Sequence, residues 1–252
     1  MLKYSKANTK LRKLNKVRAL KKYLTGKRKV YSFDILSGWS CPAAKDCLSK
    51  AIEVDGRRKI QDGKHTQFRC FSASQEAQYP DTYNKRKANF DAVKACKNTD
   101  EMVDLLSENL PEDAGIVRWH VSGDLFNEMY FRALIRVAAN NPTVLFYAYT
   151  KQLRLWVKLA DRMPENLVMT ASRGGKHDAL IDQHGLREAR VVFSHDEAKR
   201  LGLDIDSDDS HAARPDLRDQ SFALLIHASQ PKGSRAAAAL QVLKGREKSR
   251  KG

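Results

Sequence analysis

The chain has few cysteines, few aromatic residues and no long apolar run. Four Cys occur in 252 residues, and aromatic residues make up 8% of the chain. Four cysteines are too few for a disulfide framework, and reduced thiols act as metal ligands or pack in the core. The longest apolar runs, such as residues 144–148, are too short to cross a bilayer, and no secretory signal is evident. These features predict a cytoplasmic protein with no membrane partner.

Acidic residues are missing from the first 33 residues, which contain 12 Lys and Arg. Residues 232–252 contain 7 Lys and Arg and one acid, whereas residues 34–231 have a net charge of about −2 within a total of +16. Basic ends on a near-neutral body suit contact with a polyanion, and nucleic acid is favoured over a membrane. A solvated tail that keeps the protein soluble is the alternative.

Apolar residues recur near the start of the chain at roughly helical spacing: Leu11, Leu14, Val17, Leu20 and Leu24. Lys and Arg fill the positions between them, so the pattern predicts a basic amphipathic helix whose leucine stripe packs on the body. Nucleic acid is expected to contact the basic residues of this helix and its flanks: Lys10, Arg12, Lys13, Lys16, Lys21, Lys22, Lys27, Arg28 and Lys29.

Five β-like runs each end in a polar cluster, and they cover residues 116–121, 144–149, 167–171, 190–193 and 222–226. The clusters are Ser122-Gly123-Asp124, Thr150-Lys151, Ser172-Arg173-Gly174-Gly175, Ser194-His195-Asp196 and His227. In sheets of parallel strands joined by helices, ligands bind at the carboxyl ends of the strands. Repeated polar strand ends therefore predict one shared pocket, which is the pattern of an enzyme.

The order of elements predicts an α/β fold. Residues 30–36 form a first strand, a long and mostly helical segment follows, and strands then alternate with helices at the spacing of βα units. The count is about six mostly parallel strands with outer helices, arranged as an incomplete (β/α)6 barrel or an open doubly wound sheet. The predicted domains are a basic helical arm (1–29), an α/β domain of catalytic type (30–231) and a basic helical tail (232–252).

Local signals mark individual helices within this order. Asn98 with Glu101 three residues later resembles a capping box at a helix start. Further helical patterns cover residues 126–139, 153–163, 179–188 and 196–201.

Strand alternation selects the candidate catalytic residues. In the second strand Arg118, His120 and Ser122 share one face, which should line a polar cavity. The predicted catalytic residues are His120, Asp124, Lys151 and His195. The predicted cofactor-binding residues are Ser122, Gly123, Thr150, Ser172, Arg173, Gly174 and Gly175, since two glycines let backbone amides approach a phosphate or carboxylate. A buried histidine satisfied by its neighbours is the alternative for His120.

Three cysteines are the candidate metal ligands. Cys41 and Cys47 directly follow the first strand, and Cys70 lies further along the chain. Three thiolates can hold an iron-sulfur cluster and leave one iron open, whereas zinc needs a fourth donor such as Cys96 or His65. The spacing matches no common zinc pattern, so zinc and unligated core cysteines are the alternatives. Cys96 lies in a helical run and is expected to be structural.

An acidic loop offers another chemistry. Asp206, Asp208, Asp209 and His211 lie close together in the sequence and suit either a divalent cation or a solvated turn. With His120 and Asp124, the loop forms the basis of a third hypothesis, metal-dependent phosphodiester hydrolysis.

Several motifs together resemble a known family. They are Ser37-Gly38-Trp39-Ser40-Cys41-Pro42, Cys47, Cys70, His120-Val121-Ser122-Gly123-Asp124, Tyr147-Ala148-Tyr149-Thr150-Lys151, Thr170-Ala171-Ser172-Arg173-Gly174-Gly175 and Asp208-Asp209-Ser210-His211. Over about residues 30–240 the chain resembles the phage gene product 88 family, which has no settled activity. The resemblance implies a phage protein in the host cytoplasm and leaves the reaction open.

The order of elements is also similar to that of radical S-adenosylmethionine enzymes. Those enzymes place a cysteine-bound four-iron cluster after the first strand of an incomplete barrel of six βα units. Their three cysteines usually form a compact run, and Cys70 departs from that spacing. The resemblance favours the incomplete barrel and implies a 4Fe-4S cluster on Cys41, Cys47 and Cys70, with S-adenosylmethionine as a second cofactor.

Two functional classes follow from these patterns. The leading hypothesis is a cytoplasmic iron-sulfur enzyme of radical type that acts on a nucleic acid or nucleotide-like substrate held by the basic ends. The alternative is a phage nucleic-acid-binding accessory protein with a structural metal site or no metal.

Overall fold

One eight-stranded, mostly parallel sheet with surrounding helices organises the protein in a computed structural model that describes residues 1–249, with side chains up to residue 245. The strands are β1 (Tyr4–Lys6), β2 (Lys29–Phe33), β3 (Ser49–Val54), β4 (Arg57–Asp62), β5 (Ala114–Trp119), β6 (Leu145–Thr150), β7 (Leu167–Ser172), β8 (Glu188–Val192), β9 (Asp204–Ile205) and β10 (Phe222–Leu225). The α-helices are α1 (Phe71–Gln78), α2 (Pro80–Ala95), α3 (Thr99–Glu108), α4 (Glu128–Asn140), α5 (Leu153–Lys158), α6 (Ala179–Gln183), α7 (His195–Arg200), α8 (Ser210–Ala213) and α9 (Arg235–Ser249). Short 3-10 helices cover Leu11–Lys16, Arg18–Tyr23, Ala160–Arg162 and Pro215–Leu217.

The strand order in the sheet is β1-β2-β5-β6-β7-β8-β10-β9. β1 is antiparallel to β2, and each of the other neighbouring pairs is parallel. From β2 to β10 the strands follow each other in chain order, and only the two-residue β9 departs from it. The predicted α/β class with mostly parallel strands is confirmed. The finer assignment to an incomplete barrel stays a prediction.

Different elements of the chain pack on the two faces of the sheet. Crossovers between parallel strands are right-handed, so successive helices pack on the same face when the strands step in one direction. On this outer face Val117, Trp119 and Phe146 pack with side chains of α3, α4 and α5. The rings of Trp119 and Phe146 stack with their centroids 5.1 Å apart.

The inner face is covered by the N-terminal segment and α8. Leu11, Leu14 and Leu20 are fully buried against Ile116 and Leu145 of the sheet. The predicted packing of the leucine stripe on the body is therefore confirmed. No helix within residues 1–249 is long and apolar enough to span a bilayer.

The prediction of a single helix in the N-terminal segment is wrong. The segment forms two 3-10 helices, and the residue between them, Val17, has an extended backbone. Their apolar positions 11, 14, 17 and 20 repeat every three residues. An α-helix has 3.6 residues per turn, so side chains spaced three residues apart move gradually to a different face of it. A 3-10 helix has three residues per turn and keeps such side chains on one face. The period of three was the sequence signal for this conformation.

The mostly helical segment predicted after the first strand is wrong for residues 49–62, which form the antiparallel hairpin β3-β4. Its two-residue turn is Asp55-Gly56, and both residues have positive φ, 53° and 69°. Asp-Gly is a strong hairpin signal, since type I′ turns require this conformation at both positions. Helices α1 and α2 follow the hairpin, so the helical prediction holds for the second half of the segment.

The predicted helix start at Asn98 is confirmed, since its Oδ1 accepts a 2.9 Å hydrogen bond from the Glu101 amide. The predicted C-terminal helix is also present as α9. Residues 250–252 of the predicted basic tail lie outside the described residues. The domain boundaries at residues 29 and 231 stay predictions.

Candidate active site

The carboxyl ends of β2 and β5 are tied together by a buried carboxylate. Asp34 follows β2, and its Oδ1 accepts hydrogen bonds from the backbone amides of Val121 (2.7 Å) and Ser122 (3.3 Å). These amides lie just beyond the end of β5, so no neighbouring strand offers them a carbonyl acceptor. The Asp34 carboxylate accepts their hydrogen bonds instead and fixes the loop that carries Ser122, Gly123 and Asp124.

Asp124 joins the same loop to the end of β6. Its carboxylate accepts hydrogen bonds from Thr150 Oγ1 (2.6 Å) and from the Lys151 amide (2.9 Å). Burial raises the pKa of Asp124, although these two hydrogen bonds oppose the rise. Three of the predicted site residues therefore meet in one buried network.

Gly123 is required at its position by space as well as by backbone conformation. Its φ is +94°, and a Cβ there would lie 2.4 Å from Ile35 Cγ1 and 2.7 Å from Ser40 Oγ. Any side chain would push the loop after β5 away from the loop after β2. The close approach of these two loops therefore depends on glycine.

Lys151 links the ends of β6 and β7. Its Nζ donates to Ser172 O (2.8 Å), Ser172 Oγ (2.8 Å) and Arg173 O (2.9 Å). All three ammonium hydrogens thus have protein acceptors. These contacts position the strand ends, and catalysis by Lys151 stays a prediction.

The glycine loop after β7 holds a protein carboxylate at its amides. The Gly174 and Gly175 amides donate to the two oxygens of Asp178, at 2.8 and 2.9 Å. Arg173 is paired with Asp182 and Glu188. The backbone amides predicted to bind a cofactor anion therefore bind a carboxylate from the same loop.

The same glycine loop clamps the first cysteine loop. The carbonyl of Gly174 accepts hydrogen bonds from the amides of Lys45 (3.2 Å) and Asp46 (2.9 Å), which lie between Cys41 and Cys47. A β-bridge between Ala44 and Gly175 adds to this contact. The cysteine loop after β2 is thus attached to the carboxyl end of β7.

The three predicted metal ligands meet at this edge. Burial raises the pKa of the Cys41 thiol, and the neighbouring Asp124, Cys70 and Cys47 raise it further. Burial raises the pKa of Cys70 to about 11, with Cys47 again contributing. For Cys47 burial outweighs the opposing effect of Lys151. Each thiol influences another, so the three lie in one neighbourhood.

The three cysteines are neither fully buried nor fully exposed. Each thiol lies deep enough within the fold for burial to raise its pKa, yet each residue keeps part of its surface exposed. The thiols are free, and the structure pairs none of these three in a disulfide.

The β3-β4 hairpin returns the chain to the first cysteine loop. The Asp46 carbonyl accepts hydrogen bonds from the amides of Gln67 (2.7 Å) and Phe68 (3.1 Å), just after the hairpin. The Cys70 amide then bonds to Ser49 Oγ at 3.4 Å. Cys70 therefore reaches Cys47 through the hairpin, despite their separation in sequence.

Glu76 is a buried member of the site that the sequence does not reveal. It is 0% exposed and accepts hydrogen bonds from Ser37 Oγ (2.7 Å) and Ser122 Oγ (2.8 Å). Arg86 pairs with it at 3.1 Å. Burial raises its pKa against the effect of Arg86 and of these hydrogen bonds. No motif marks Glu76, because its partners come from three distant parts of the chain.

His120 lies on the other side of its strand from the predicted face. Its φ of +66° breaks the alternation, and Nε2 forms a 2.8 Å hydrogen bond with Tyr130 Oη in the outer core. Burial lowers its pKa to about 4, so the ring is neutral at pH 7. The expectation that the His120 ring shares a face with Arg118 is wrong, since alternation holds only for extended backbone.

His195 is the first residue of α7 and is exposed. It lines a shallow surface groove with Lys199 and Asp204. Within residues 1–249 it forms no hydrogen bond or ion pair with Asp124, Lys151 or the cysteines. The structure therefore does not join it to the network at the sheet edge.

The basic N-terminal segment crosses the inner face of the sheet, and its last residues lie at the amino ends of the strands. Arg28 donates to Thr143 O (2.6 Å) just before β6, and Lys29 pairs with Asp113 (2.5 Å) just before β5. Lys10 pairs at 2.6 Å with Asp209, which is fully buried. The other predicted contact residues are exposed: Arg12, Lys13, Lys16, Lys21, Lys22 and Lys27.

No three His, Cys, Asp or Glu side chains among residues 1–249 are arranged to hold a single metal ion. In the acidic loop Asp209 is instead paired with Arg118 and Lys10. A zinc ion requires four donors around one point. In an iron-sulfur cluster each cysteine binds its own iron, so the three sulfurs need not converge on one point.

Residues 2–245 match the model of a protein family described as gene product 88. Comparisons with curated proteins and with solved structures gave no match.

Proposed function

The chain belongs to the gene product 88 family, and we propose that it is an enzyme whose Cys41, Cys47 and Cys70 hold an iron-sulfur cluster. The observation that supports this function is the proximity of three distant thiols at the carboxyl edge of a parallel sheet, and we infer that the substrate cavity lies beside them. Ligands of such sheets bind at this edge.

The protonation of the thiols fits a role in binding a cluster. Without a cation between them, three close thiolates repel each other and lose hydration, so their pKa values rise. A bound metal centre reverses both effects, and coordinating thiols lose their protons. When bound, a cluster with three cysteine ligands keeps one iron open and supplies single electrons to a co-substrate such as S-adenosylmethionine.

The strand order supports an incomplete (β/α)6 barrel for this enzyme. A doubly wound sheet reverses its strand order at a switch point. Here β2, β5, β6, β7, β8 and β10 step in one direction, as the strands of a barrel do. The inner face then leads to the cavity bordered by the cysteines.

Residues of this chain hold the cavity in shape. Glu76 fixes Ser37 and Ser122, which lie on the loops after β2 and β5. Lys151 fixes the ends of β6 and β7, and its charge favours the thiolate of Cys47. These residues orient the loops and set the charge around the thiols.

A nucleotide-like substrate is proposed for this cavity, and Arg28 and Lys29 do not hold it there. They lie at the amino ends of the strands, and a six-residue strand is about 20 Å long. The substrate is therefore bound by side chains at the carboxyl edge.

Metal analysis of protein purified without oxygen tests the cluster. Wild type is compared with Cys47→Ser, and Cys96→Ser serves as the matched control. Cys96 Sγ donates to the Ala92 carbonyl at 3.6 Å, and burial and then the charge of Glu101, rather than another thiol, raise its pKa. We expect a brown wild type with bound iron and sulfide, a colourless Cys47→Ser protein and an unchanged Cys96→Ser protein.

Two results would contradict this assignment. The first is full retention of iron in Cys47→Ser. The second is a colourless wild type that takes up neither iron nor sulfide on anaerobic reconstitution. Stoichiometric zinc lost in Cys47→Ser would favour the alternative of a structural metal site.

Nucleic-acid binding is a second proposed activity, and a separate observation favours it. Exposed cations of the two N-terminal 3-10 helices have no carboxylate within ion-pair distance among the described residues: Arg12, Lys13, Lys16, Arg18, Lys21 and Lys22. In a 3-10 helix residues three apart eclipse each other, about 6 Å apart along the axis. Lys13 and Lys16 therefore share a face, as do Arg18 and Lys21, which suits a row of phosphates.

Salt dependence tests this surface. Replacing Lys16 and Lys21 with Ala should weaken DNA or RNA binding and lower the slope of log K against log salt by about 1.4 to 1.8. Lys87→Ala is the control, because Lys87 is exposed on α2 and paired with Asp91. An affinity that is independent of salt, or an equal loss in the control, would contradict the proposal.

A further inference from the structure

A second polar cluster lies on the inner face of the sheet and takes no part in the thiol site. Its residues come from β5, β6, the loop before α8, α8 itself and the N-terminal segment: Arg118, Tyr147, Tyr149, Asp206, Asp209, His211 and Lys10. We refer to these residues as the inner-face cluster.

Asp209 is the anionic centre of the inner-face cluster. It is 0% exposed, pairs with Arg118 and Lys10, and accepts a 3.1 Å hydrogen bond from Tyr147 Oη. Burial alone would raise its pKa, but the two cations outweigh burial and the pKa is lowered. Asp209 is therefore ionised, and its charge is already matched by protein cations.

Three buried atoms of the cluster have no hydrogen-bond partner among the described residues. They are Tyr149 Oη, Asp206 Oδ2 and His211 Nδ1. Asp206 is only 4% exposed, and its other oxygen accepts the Asp208 amide at 2.9 Å. Buried polar atoms in native proteins almost always have a partner, so three without one indicate a missing polar group.

These three atoms belong to one place in the fold. The rings of Tyr149 and His211 both pack on Phe222, with centroids 6.1 and 5.5 Å from its ring. Asp206 lies within electrostatic range of His211, and Tyr149 lies within range of Asp206. One small group at this position would serve all three.

The charge around this position is positive. Arg187 is 3% exposed, and within the described part of the chain its guanidinium donates to uncharged oxygens alone, including Met169 O (3.0 Å) and Ala212 O (3.1 Å). Burial lowers its pKa to about 10, so it stays charged at neutral pH. Burial also raises the pKa of Asp206 and favours its neutral form.

Counting these charges identifies the kind of ligand. Three cations, Arg187 with the Arg118 and Lys10 already described, face two carboxylates, Asp209 and Asp206, and burial disfavours the charged form of Asp206. Buried charge without a counter-charge is strongly unfavourable, so an anion fits here and a metal cation does not. The side chain of Lys10 is 37% exposed, which leaves the cluster reachable from solvent.

We propose that the inner-face cluster binds a small oxyanion, the phosphate or carboxylate group of a small-molecule ligand. Tyr149 Oη donates a hydrogen bond to it, Asp206 Oδ2 shares a proton with one of its oxygens, and Arg118, Lys10 and Arg187 balance its charge. The Nδ1 atom of His211 contacts the same group.

The position of this site relates it to the thiols. His227 lies within electrostatic range of Lys10 and Arg118, and its ring is 5.2 Å from that of Phe71, the residue after Cys70. A ligand anchored by its oxyanion therefore extends toward the cysteine cavity. This last step rests on the proposed function, whereas anion binding itself does not.

Calorimetric titration of the full chain tests the site, with inorganic phosphate and acetate as separate probes. Tyr149→Phe removes only the unpartnered hydroxyl and keeps the ring. We expect it to weaken binding of the preferred probe at least tenfold while Tm stays equal or rises. The matched variant Tyr147→Phe removes a hydroxyl that already bonds to Asp209, so its Tm should fall.

Each outcome has a definite reading. Binding of phosphate alone or of acetate alone supports the site and identifies the oxyanion. Absence of binding for both probes at millimolar concentration overturns the proposal, as does equal affinity of wild type and Tyr149→Phe. The titration is repeated with Cys47→Ser, because retained anion binding there supports the site even if the protein holds no cluster.

Discussion

Acid should destabilise this protein through one histidine, His120. The ring is 3% exposed, Nε2 bonds to Tyr130, and Nδ1 has no partner among the described residues. Protonation would place an uncompensated charge in the outer core. The pKa therefore drops from 6.5 to about 4, with burial as the main cause and Arg118 contributing.

The size and sign of the effect follow from that shift. In the unfolded chain the imidazole takes up its proton near pH 6.5, whereas in the folded protein it does so near pH 4. The unfolded state thus binds more protons in this window, and the free energy of unfolding falls as the pH falls. The neutral His120 ring contributes about 3 kcal/mol to the free energy of unfolding. This contribution is fully present above about pH 6.5 and is lost by about pH 4.

Urea unfolding of wild type and His120→Gln across this pH range measures the effect. Glutamine keeps a polar group near the position of Nε2 but does not titrate. Because residue 120 has a positive φ, the substitution also lowers the free energy of unfolding by an amount that does not change with pH. We therefore read only the change with pH, and expect wild type to lose about 3 kcal/mol more than the variant.

Parallel curves for the two proteins would refute this reasoning. They would mean that His120 titrates equally in both states, and hence that it is exposed to solvent or paired with a carboxylate. A wild-type NMR titration of the His120 ring near pH 6.5 would lead to the same conclusion.

Three further predictions concern folding and are measured by urea unfolding. Gly123→Ala should lower the free energy of unfolding by more than about 2 kcal/mol, because its Cβ would overlap Ile35; a neutral effect would contradict the close approach of the loops. Leu14→Ala should cost about 2–5 kcal/mol, whereas the exposed control Lys16→Ala should change stability by less than about 0.5; similar values for both would show that the segment is not part of the core. Asn98→Ala should cost about 1 kcal/mol through loss of the helix cap, and an unchanged midpoint would count against that cap.

Much of the fold was predictable because it follows from local patterns. The runs at residues 116–121, 144–149, 167–171, 190–193 and 222–226 all lie on strands of the main sheet, with ends shifted by a few residues. Hydrophobic periodicity and turn residues act within a short stretch of chain, so one sequence suffices to read them. Two available signals were missed, the Asp-Gly turn of the hairpin and the period of three in the N-terminal segment.

The candidate site was predictable only in part. The sequence places Asp124 and Thr150 at neighbouring strand ends, and the structure joins them by a hydrogen bond. The sequence does not show that the amides of Gly174 and Gly175 bind the Asp178 carboxylate, since that contact depends on how one loop folds back on itself. Nor does it show Glu76, whose partners are far away in the chain.

The sequence by itself determined which segments form strands and helices and which residue types stand at their ends. The tertiary structure decided which of those ends meet. The hairpin brings Cys70 back to Cys47, and a positive φ turns His120 away from the inner face. Burial of three leucines holds the basic segment on the inner face, with Arg28 and Lys29 at the amino ends of the strands. The physical reason is that periodicity encodes local conformation, whereas contacts between distant residues depend on strand order, backbone exceptions and packing that no local pattern records.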